Sequence, residues 1–377
     1  MPTALVHDFL VDVRGAERVF AALCDLFPDA TLFTGVYDEE GTEGRFADRT
    51  VVPTFLQRLR PTARNFRTLL PLYPRAIEAL DLRGYDLVVS SSSAWAHGVR
   101  VDPGATHVCY CHNPFRYAWD ERDATLAARN PVTRVVLAEV FRRWRTWDRQ
   151  AAARVTRYVA NSQTTRERIA RCLERDATVV YPPVEVDRFR RGSVGDHYLV
   201  LSELMAHKRL GVAVEAFDRL GLPLVVVGDG PDARRLRGLA GPTVRFTGRI
   251  SDSRVEELLA SARALVVPAT EEFGIAAVEA QAAGRPVVAL RDGGVCESVV
   301  EDLTGVFFDQ PTPAALAAAV QRFETLTFEP EACMENARRF EPARFATGIR
   351  AVVAEALGAA QGEAGAVMTP AHVPQSA

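Results

Sequence analysis

In the second half of the chain, two kinds of segment alternate. Short, almost wholly apolar runs ("HYLVLSEL", "LPLVVVGDG", "VRFTG", "RALVVP", "RPVVAL", "TGVFFD") are separated by stretches with apolar residues three and four apart ("RLGVAVEAFDRL", "DARRLRGLA", "DSRVEELLASA", "FGIAAVEAQAAG"). The first kind predicts buried strands, the second amphipathic helices. Strands alternating with helices imply a parallel sheet covered on both faces. The first half repeats this less regularly. Its strand candidates are "TALVHDFL", "ATLFTGVY", "YDLVVSSSS", "THVCYCHN", "RYVANS" and "TVVYPP". Its helix candidates are "GAERVFAALCDLF", "RVVLAEVFRRWRTWDRQAAARV" and "TTRERIARCL". Two doubly wound α/β domains are the economical reading. The joint is expected in "YPPVEVDRFRRGSVGDHY", where Pro182 and Pro183 break structure and Gly192 and Gly195 loosen the chain. The expected domains are 1–187 and 188–341, followed by a helix over 342–357. Residues 358–377 lack periodicity and are expected to be a disordered tail.

Composition changes this picture little. The 377 residues are 48% hydrophobic and 25% charged, an ordinary globular balance. A net charge of -3 gives no expectation of a nucleic-acid partner. The six cysteines show no metal-site spacing. Cys109 and Cys111 alternate along a strand and face one side, as reduced core thiols of a cytosolic protein would. No signal peptide and no run of transmembrane length is seen, so a cytoplasmic chain is expected, with membrane contact at most peripheral.

The candidate chemistry centres on "ATEEFGIAAVEAQAAGRPVVAL", residues 269–290. In a parallel sheet, ligands sit at the carboxyl ends of strands. Glu271 follows the strand "ALVVP", and Gly274 opens a helix, where backbone N–H groups favour an anion. Glu279 lies one to two turns further on. A carboxylate can accept two hydrogen bonds from a vicinal diol. A diphosphate between a ribose and a sugar matches this layout. Either glutamate alone reads as an ordinary surface residue. Glu279 argues against that reading, because it sits among small apolar residues on a helix that should be largely buried.

The segment "EEFGIAAVEAQAAGRPVVA" resembles the E-x7-E motif of glycosyltransferase family 4, retaining enzymes of the GT-B fold. The resemblance runs from Val6 to about Leu357 and is nearest to bacterial O-antigen mannosyltransferases. It implies two Rossmann-like domains facing a cleft, acceptor on the N-terminal side and nucleotide sugar on the C-terminal side. The C-terminal helix would cross back to the first domain. It implies that Glu271 approaches the donor hexose and Glu279 the ribose, with Phe273, Gly274 and Ile275 lining phosphate and sugar through their amides. Lys208 matches the family's pyrophosphate lysine, while Glu203 stands where the family has an arginine; Arg209 is left as a possible compensating cation. Gly15 matches the second glycine of the first domain's phosphate-side turn, with Arg14 in place of the first. His112, in "YCHNPFRYAWD", matches a histidine near the anomeric carbon. It leads into Asn113, Arg116, Tyr117, Trp119 and Asp120, read as an exposed loop suited to sugar recognition. Gly248 and Arg249 lie where the family passes the base. Gly228 with Gly230, and Gly293 with Gly294 and Glu297, are weaker signals that ordinary tight turns would also explain.

The expectation is therefore a retaining hexosyltransferase with GDP-mannose as favoured donor and a UDP-sugar as the alternative. No metal is expected, since no DxD run occurs. The acceptor is expected to be a glycan or lipid-linked sugar of a surface polysaccharide. Two arginine-rich stretches with interleaved apolar residues, around Arg58–Arg75 and Arg134–Arg154, could meet anionic lipid or a lipid diphosphate, or be plain solvated helices. Three rivals stay open: a nucleotide-sugar epimerase, a phosphorylase, and a nucleotide-sugar-binding protein without transferase activity. A phosphorylase would need a second lysine, and Lys208 is the one lysine in this sequence. A dehydrogenase fails at the third glycine of "VVVGDGPDARR".

Overall fold

A computed structural model describes residues 1–63 and 65–367. By contacts the chain forms two units. One holds residues 1–161, 165–180 and the C-terminal helix from Ala346; the other holds 162–164 and 181–345.

The first unit carries seven strands: β1 (Thr3–His7), β2 (Thr31–Thr34), β3 (Val51–Pro53), β4 (Leu87–Ser92), β5 (Thr106–Cys111), β6 (Arg157–Ala160) and β7 (Ala177–Val179). They form one parallel sheet in the order β3-β2-β1-β4-β5-β6-β7. The second unit carries β8 (Tyr198–Leu201), β9 (Leu224–Val227), β10 (Val244–Gly248), β11 (Leu265–Val267), β12 (Val287–Leu290) and β13 (Gly305–Phe308). These form a second parallel sheet, β10-β9-β8-β11-β12-β13. Strand order reverses at β1/β4 in one sheet and at β8/β11 in the other. Those are the switch points where open α/β sheets receive ligands.

Strand periodicity explains the cores. In the second sheet Leu199, Val225, Leu265 and Val287 pack on one side, and Val200, Val226, Val266 and Val288 on the other. Alternate residues face opposite ways, so a strand covered on both faces must be apolar throughout. In the first unit Cys109 and Cys111 share a cluster with Tyr158 and Ile169. Burial pushes both thiols well up from their ordinary range.

Some elements depart from expectation. β3 was not anticipated: three residues ending in Pro53 give little pattern, and proline is tolerated there because the strand is at the sheet edge. Helices Pro313–Glu324 and Pro330–Ala337 were also missed, and the first arginine-rich stretch is α-helical only at its end, Tyr73–Glu78. The last helix runs Pro342–Val367 and so passes the expected end at residue 357. The rest of the expected tail, 368–377, lies outside the described residues.

Candidate active site

In the C-terminal unit the predicted residues gather at the carboxyl ends of β8, β10, β11 and β12. After β8 the chain passes half-buried Glu203 and makes a short 3-10 turn, Ala206–Lys208. Arg209 follows in the left-handed region (φ 48°) and caps the helix Leu210–Leu220. Arg209 is exposed and lies outside the helix, so its relation to Lys208 is set by this turn and not by helical geometry. Lys208 Nζ lies 2.6 Å from Glu271 Oε2, with the two side chains 16% and 21% exposed. One pair thus joins the residue that resembles the pyrophosphate lysine to the one that resembles the sugar glutamate.

Gly274 has φ 89° and caps the helix Ile275–Ala282. The first N–H groups of a helix have no intrahelical partner and offer an anion site. The Phe273 side chain points into the core against Tyr181 and Phe340, so only its backbone can face a ligand. Glu279 is 7% exposed, a buried carboxylate on a helix of small residues. It contributes to the field at Arg188, which also pairs with Asp252 at 3.1 Å and Glu256 at 2.5 Å.

The glycines have structural work that the sequence reading left open. A side chain on Gly293 (φ 84°) would collide with the Glu271 carbonyl, and one on Gly294 with the Glu272 carbonyl. The Gly294 N–H donates to the Glu271 carbonyl at 2.8 Å. The loop after β12 therefore braces the Glu271 loop through bare backbone. A side chain on Gly228 would likewise collide with the Ser202 carbonyl in the loop after β8. Gly248 has φ 73° with open space around it, and Arg249 beside it is exposed.

In the N-terminal unit, Gly15 opens the helix Gly15–Leu26, and Arg14 caps it. The Arg14 N–H donates to Glu17 Oε2 at 3.0 Å, and its Nε to Asp12 Oδ2 at 2.9 Å. His112 follows β5. Its Nε2 lies 2.8 Å from Ser91 Oγ, and its carbonyl accepts from Asn161 Nδ2 at 3.1 Å. The loop after it departs from expectation. Asn113 is buried and accepts from Arg168 at 2.9 Å, Asp120 pairs with Arg171 at 2.6 Å, and Trp119 Nε1 donates to buried Asp148 at 2.6 Å. These polar groups hold the loop to its own unit instead of standing free for a sugar.

Two features were missed. Asp8 is buried and its carboxylate accepts from four successive N–H groups: Ser93, Ala94 at 3.0 Å, Trp95 at 2.7 Å and Ala96 at 2.6 Å. The serines at the end of β4 each take a histidine. Ser90 bonds His107 at 2.8 Å, Ser91 bonds His7 and His112, and Ser92 bonds His97 at 3.3 Å. Burial presses the His107 pKa down to about 3. The available signal was a run of polar residues on a strand that should be buried, since buried polar groups need partners.

Of the arginine-rich stretches, Arg154 is spent on Glu78 and the Gly98 carbonyl, and Glu78 also binds Arg100 and Trp147. Arg64 lies outside the described residues. The helix Pro131–Ala152 keeps an exposed face: Val132 is 76% exposed, Val135 and Val136 are also exposed, and a groove of about 790 Å³ is lined by Arg122, Val135, Glu139, Arg142, Arg145 and Arg149, with Glu139 pairing Arg142 at 2.7 Å and Arg143 at 2.8 Å. Among the described residues no cluster suits a metal ion, and no helix is long and apolar enough to cross a membrane.

Comparison with known proteins agrees with this layout. The family described as Glycosyltransferase Family 4 matches residues 13–188, and Glycosyl transferases group 1 matches residues 188–340. The chain is 34% identical over 153 residues to a glycogen synthase of Mycobacterium tuberculosis, covering 37% of this chain and 36% of that protein. It is 29% identical over 290 residues to the GDP-mannose-dependent alpha-(1-6)-phosphatidylinositol monomannoside mannosyltransferase of the same species, covering 64% of this chain and 75% of that one. The chain spans only 26% to 45% of the length of several other curated relatives it matches. Anabaena HepE, solved in complex with UDP-glucose, superposes with a TM-score of 0.67 at 16% identity, covering 94% of this chain and all of that one. At that identity the likeness is one of fold. With two matched regions running from residue 13 to 340 and a Rossmann-like sheet in each, the chain belongs to glycosyltransferase family 4 and has the GT-B fold.

Proposed function

We propose that this chain is a retaining hexosyltransferase that takes its sugar from a nucleoside diphosphate. The observation that carries the reading is the Lys208–Glu271 pair at the β8/β11 switch point, with buried Glu279 eight residues beyond Glu271. On this reading Glu279 accepts from the ribose hydroxyls and Glu271 from the hexose. Lys208 and the N–H groups at Gly274 and Ile275 offset charge on the departing diphosphate. In a front-face reaction the C1–oxygen bond to phosphate breaks and the electron pair leaves with the diphosphate. The acceptor hydroxyl attacks from the same face and its proton passes to the leaving phosphate oxygen. The family resemblance gives His112 a role toward the donor sugar and Gly15 one toward a phosphate or sugar. Gly248 and Arg249 border the base.

GDP-mannose is the favoured donor, supported by the mannosyltransferase relative; the UDP-glucose bound to HepE supports a UDP-sugar as the alternative. For the acceptor we favour a lipid-linked sugar of a surface polysaccharide, met at the cytoplasmic face of a membrane. The exposed valines and arginines of the helix Pro131–Ala152 support this, because they pair an apolar strip with positive charge. A second reading, donor binding without transfer, draws on Glu203 in place of the family's arginine.

The test is thermal shift with GDP-, UDP-, ADP- and dTDP-sugars, followed by a transfer assay with the donor that binds. A ligand that binds only the folded state raises the melting temperature. A shift with one base that disappears in Glu279→Ala supports the reading, and transfer completes it. A shift without transfer to any lipid-linked acceptor favours the second reading. No shift with any sugar overturns both.

A further inference from the structure

The helix Pro131–Ala152 changes character along its length. Residues 131–138 carry one charge, Arg134, whereas residues 139–150 carry Glu139, Arg142, Arg143, Arg145, Asp148 and Arg149. Phe141 and Asp148 are buried in the first unit. Beside that buried face, Val135, Ala138, Arg142, Arg145 and Arg149 recur at steps of three and four and so form one stripe. The stripe lines the groove of about 790 Å³, and Arg122, from the helix Arg122–Ala127, lines it too.

The cationic half is crowded. The Arg145 guanidinium lies 4.8 Å from the centre of the Trp119 ring, and the Arg149 guanidinium 5.2 Å from the same centre. Trp119 is itself pinned, its Nε1 donating to buried Asp148 at 2.6 Å. Arg145 Nε donates to the Ala118 carbonyl at 2.5 Å, and among the described residues Arg145 makes no ion pair. Burial first, and then the charge of Arg122, press its guanidinium below its ordinary pKa. A guanidinium keeps its proton in a protein, so the repulsion persists until an anion arrives. The carboxylates nearby are loosely held. Arg122 pairs with Asp123 at 2.5 Å, Arg149 with Glu174 at 3.2 Å and Arg142 with Glu139 at 2.7 Å, and those carboxylates are 88%, 69% and 43% exposed. Pairs so exposed are weak, and a multiply charged anion can replace them. Guanidinium forks match the oxygens of a phosphate.

We propose that this groove is a subsite for the diphosphate of a long-chain alcohol. Arg122, Arg142, Arg145 and Arg149 hold the diphosphate, and the first part of the chain lies along Ala138 and Val135 toward exposed Val132. A bare membrane surface fits this helix less well. A helix lying in an interface sorts apolar from basic residues around its circumference. Here they are sorted along the axis, with about 15 Å of helix between Arg145 and Val135. That order matches one amphiphile laid lengthwise, charged at one end and apolar at the other. Its service as the anchor of an acceptor rests on the proposed reading of a lipid-linked acceptor; the binding itself does not.

The test is titration calorimetry of the full chain with farnesyl diphosphate and with inorganic diphosphate, repeated in Lys208→Met to recognise binding at the donor site. Farnesyl diphosphate should bind on the order of tenfold more tightly than inorganic diphosphate, through its buried apolar chain. Arg145→Gln and Arg149→Gln should each weaken both ligands about tenfold, as the loss of a charge-assisted hydrogen bond does. Arg122→Gln, away from Trp119, guards against a loop that Arg145→Gln disturbs. Val135→Ser should weaken the farnesyl compound alone, by about fivefold. Equal affinity for the two ligands removes the apolar half and overturns the proposal. Unchanged affinity in the arginine variants overturns it too, as does binding that disappears in Lys208→Met. Phosphatidylglycerol vesicles that bind the chain as tightly, with the same dependence on the arginines, would make the face a membrane contact and overturn the diphosphate subsite. If farnesyl diphosphate binds here while no nucleotide sugar binds, the subsite stands and the proposed function falls. If sugar passes to an acceptor and farnesyl diphosphate does not bind, the reverse holds.

Discussion

The two sheets present their switch points with opposite chemistry. At β8/β11 the polar groups are ionic and partly exposed: a lysine and a glutamate 2.6 Å apart, with a second glutamate buried nearby in sequence. At β1/β4 they are hydrogen-bonded and largely buried: a serine between two histidines, beside an aspartate whose carboxylate accepts from four backbone N–H groups. On the proposed function the ionic site exchanges partners, a diphosphate taking the lysine and sugar hydroxyls the glutamate. The other site is tied to its own neighbours, with the Asp8 carboxylate held by four backbone N–H groups. One fold thus sets an ion pair and a hydrogen-bonded serine–histidine group at equivalent strand ends.

The largest effects should come from the ionic side. Lys208→Met removes the cation and strands Glu271. Transfer should fall by about two to three powers of ten, as when an electrostatic stabiliser of a transition state is deleted, measured as kcat/KM. Glu279→Gln should fall by about a hundredfold, through lost charge-assisted hydrogen bonds to the ribose, with the donor thermal shift abolished. If either variant retained full activity, the ionic half of the contrast would be wrong. At β1/β4, and in the brace behind Glu271, the effects should appear in stability. Asp8→Asn leaves fewer acceptor positions for four N–H groups and should cost about 3 kcal/mol in urea unfolding of the first unit. A change below 0.5 kcal/mol, the usual size for a surface site, would remove Asp8 as the anchor of the loop after β4. Gly293→Ala forces a side chain onto the Glu271 carbonyl at positive φ and should cost about 2 kcal/mol. It should also weaken donor binding by moving the Glu271 loop; a loss of stability with donor affinity intact would separate brace from site.

The most gradual effect is one of pH. The folded state holds His107 neutral down to about pH 3, while the unfolded chain binds the proton near its ordinary value. The unfolded state therefore carries more protons between those values, and stability rises with pH across that window. Its loss on acidification should be at most about 1.4 kcal/mol per pH unit, and His107→Asn should flatten this part of the profile.

Much of the C-terminal half was legible because its signals are local. A buried parallel strand is a short apolar run, and Glu271, Gly274 and Glu279 fall within a single strand–helix unit. Lys208 stood out only through the family resemblance, since a lysine after a strand reads by itself as a surface residue. The ion pair was not, since it joins residues 63 apart in sequence. The histidine–serine chain was less legible still. It depends on register between β1, β4 and β5, and the serines after "LVV" read only as the end of a strand. Arg14 stood out only as a replacement for the family's first glycine, and nothing local announced that its Nε engages Asp12. The polar loop from Asn113 to Asp120 looked available for recognition because sequence cannot tell an outward side chain from one tied to a neighbouring helix.

The Lys208–Glu271 pair gives the chain a chemical reporter of its own. A single lysine means a single side-chain amine for acylating reagents. Protected by its carboxylate at rest and covered by phosphate when donor is bound, it should label slowly in both states, and quickly in Glu271→Gln without donor. In Glu271→Gln, intact-mass counting of that adduct beside the one on the α-amine would then report whether donor covers the lysine, with no substrate analogue.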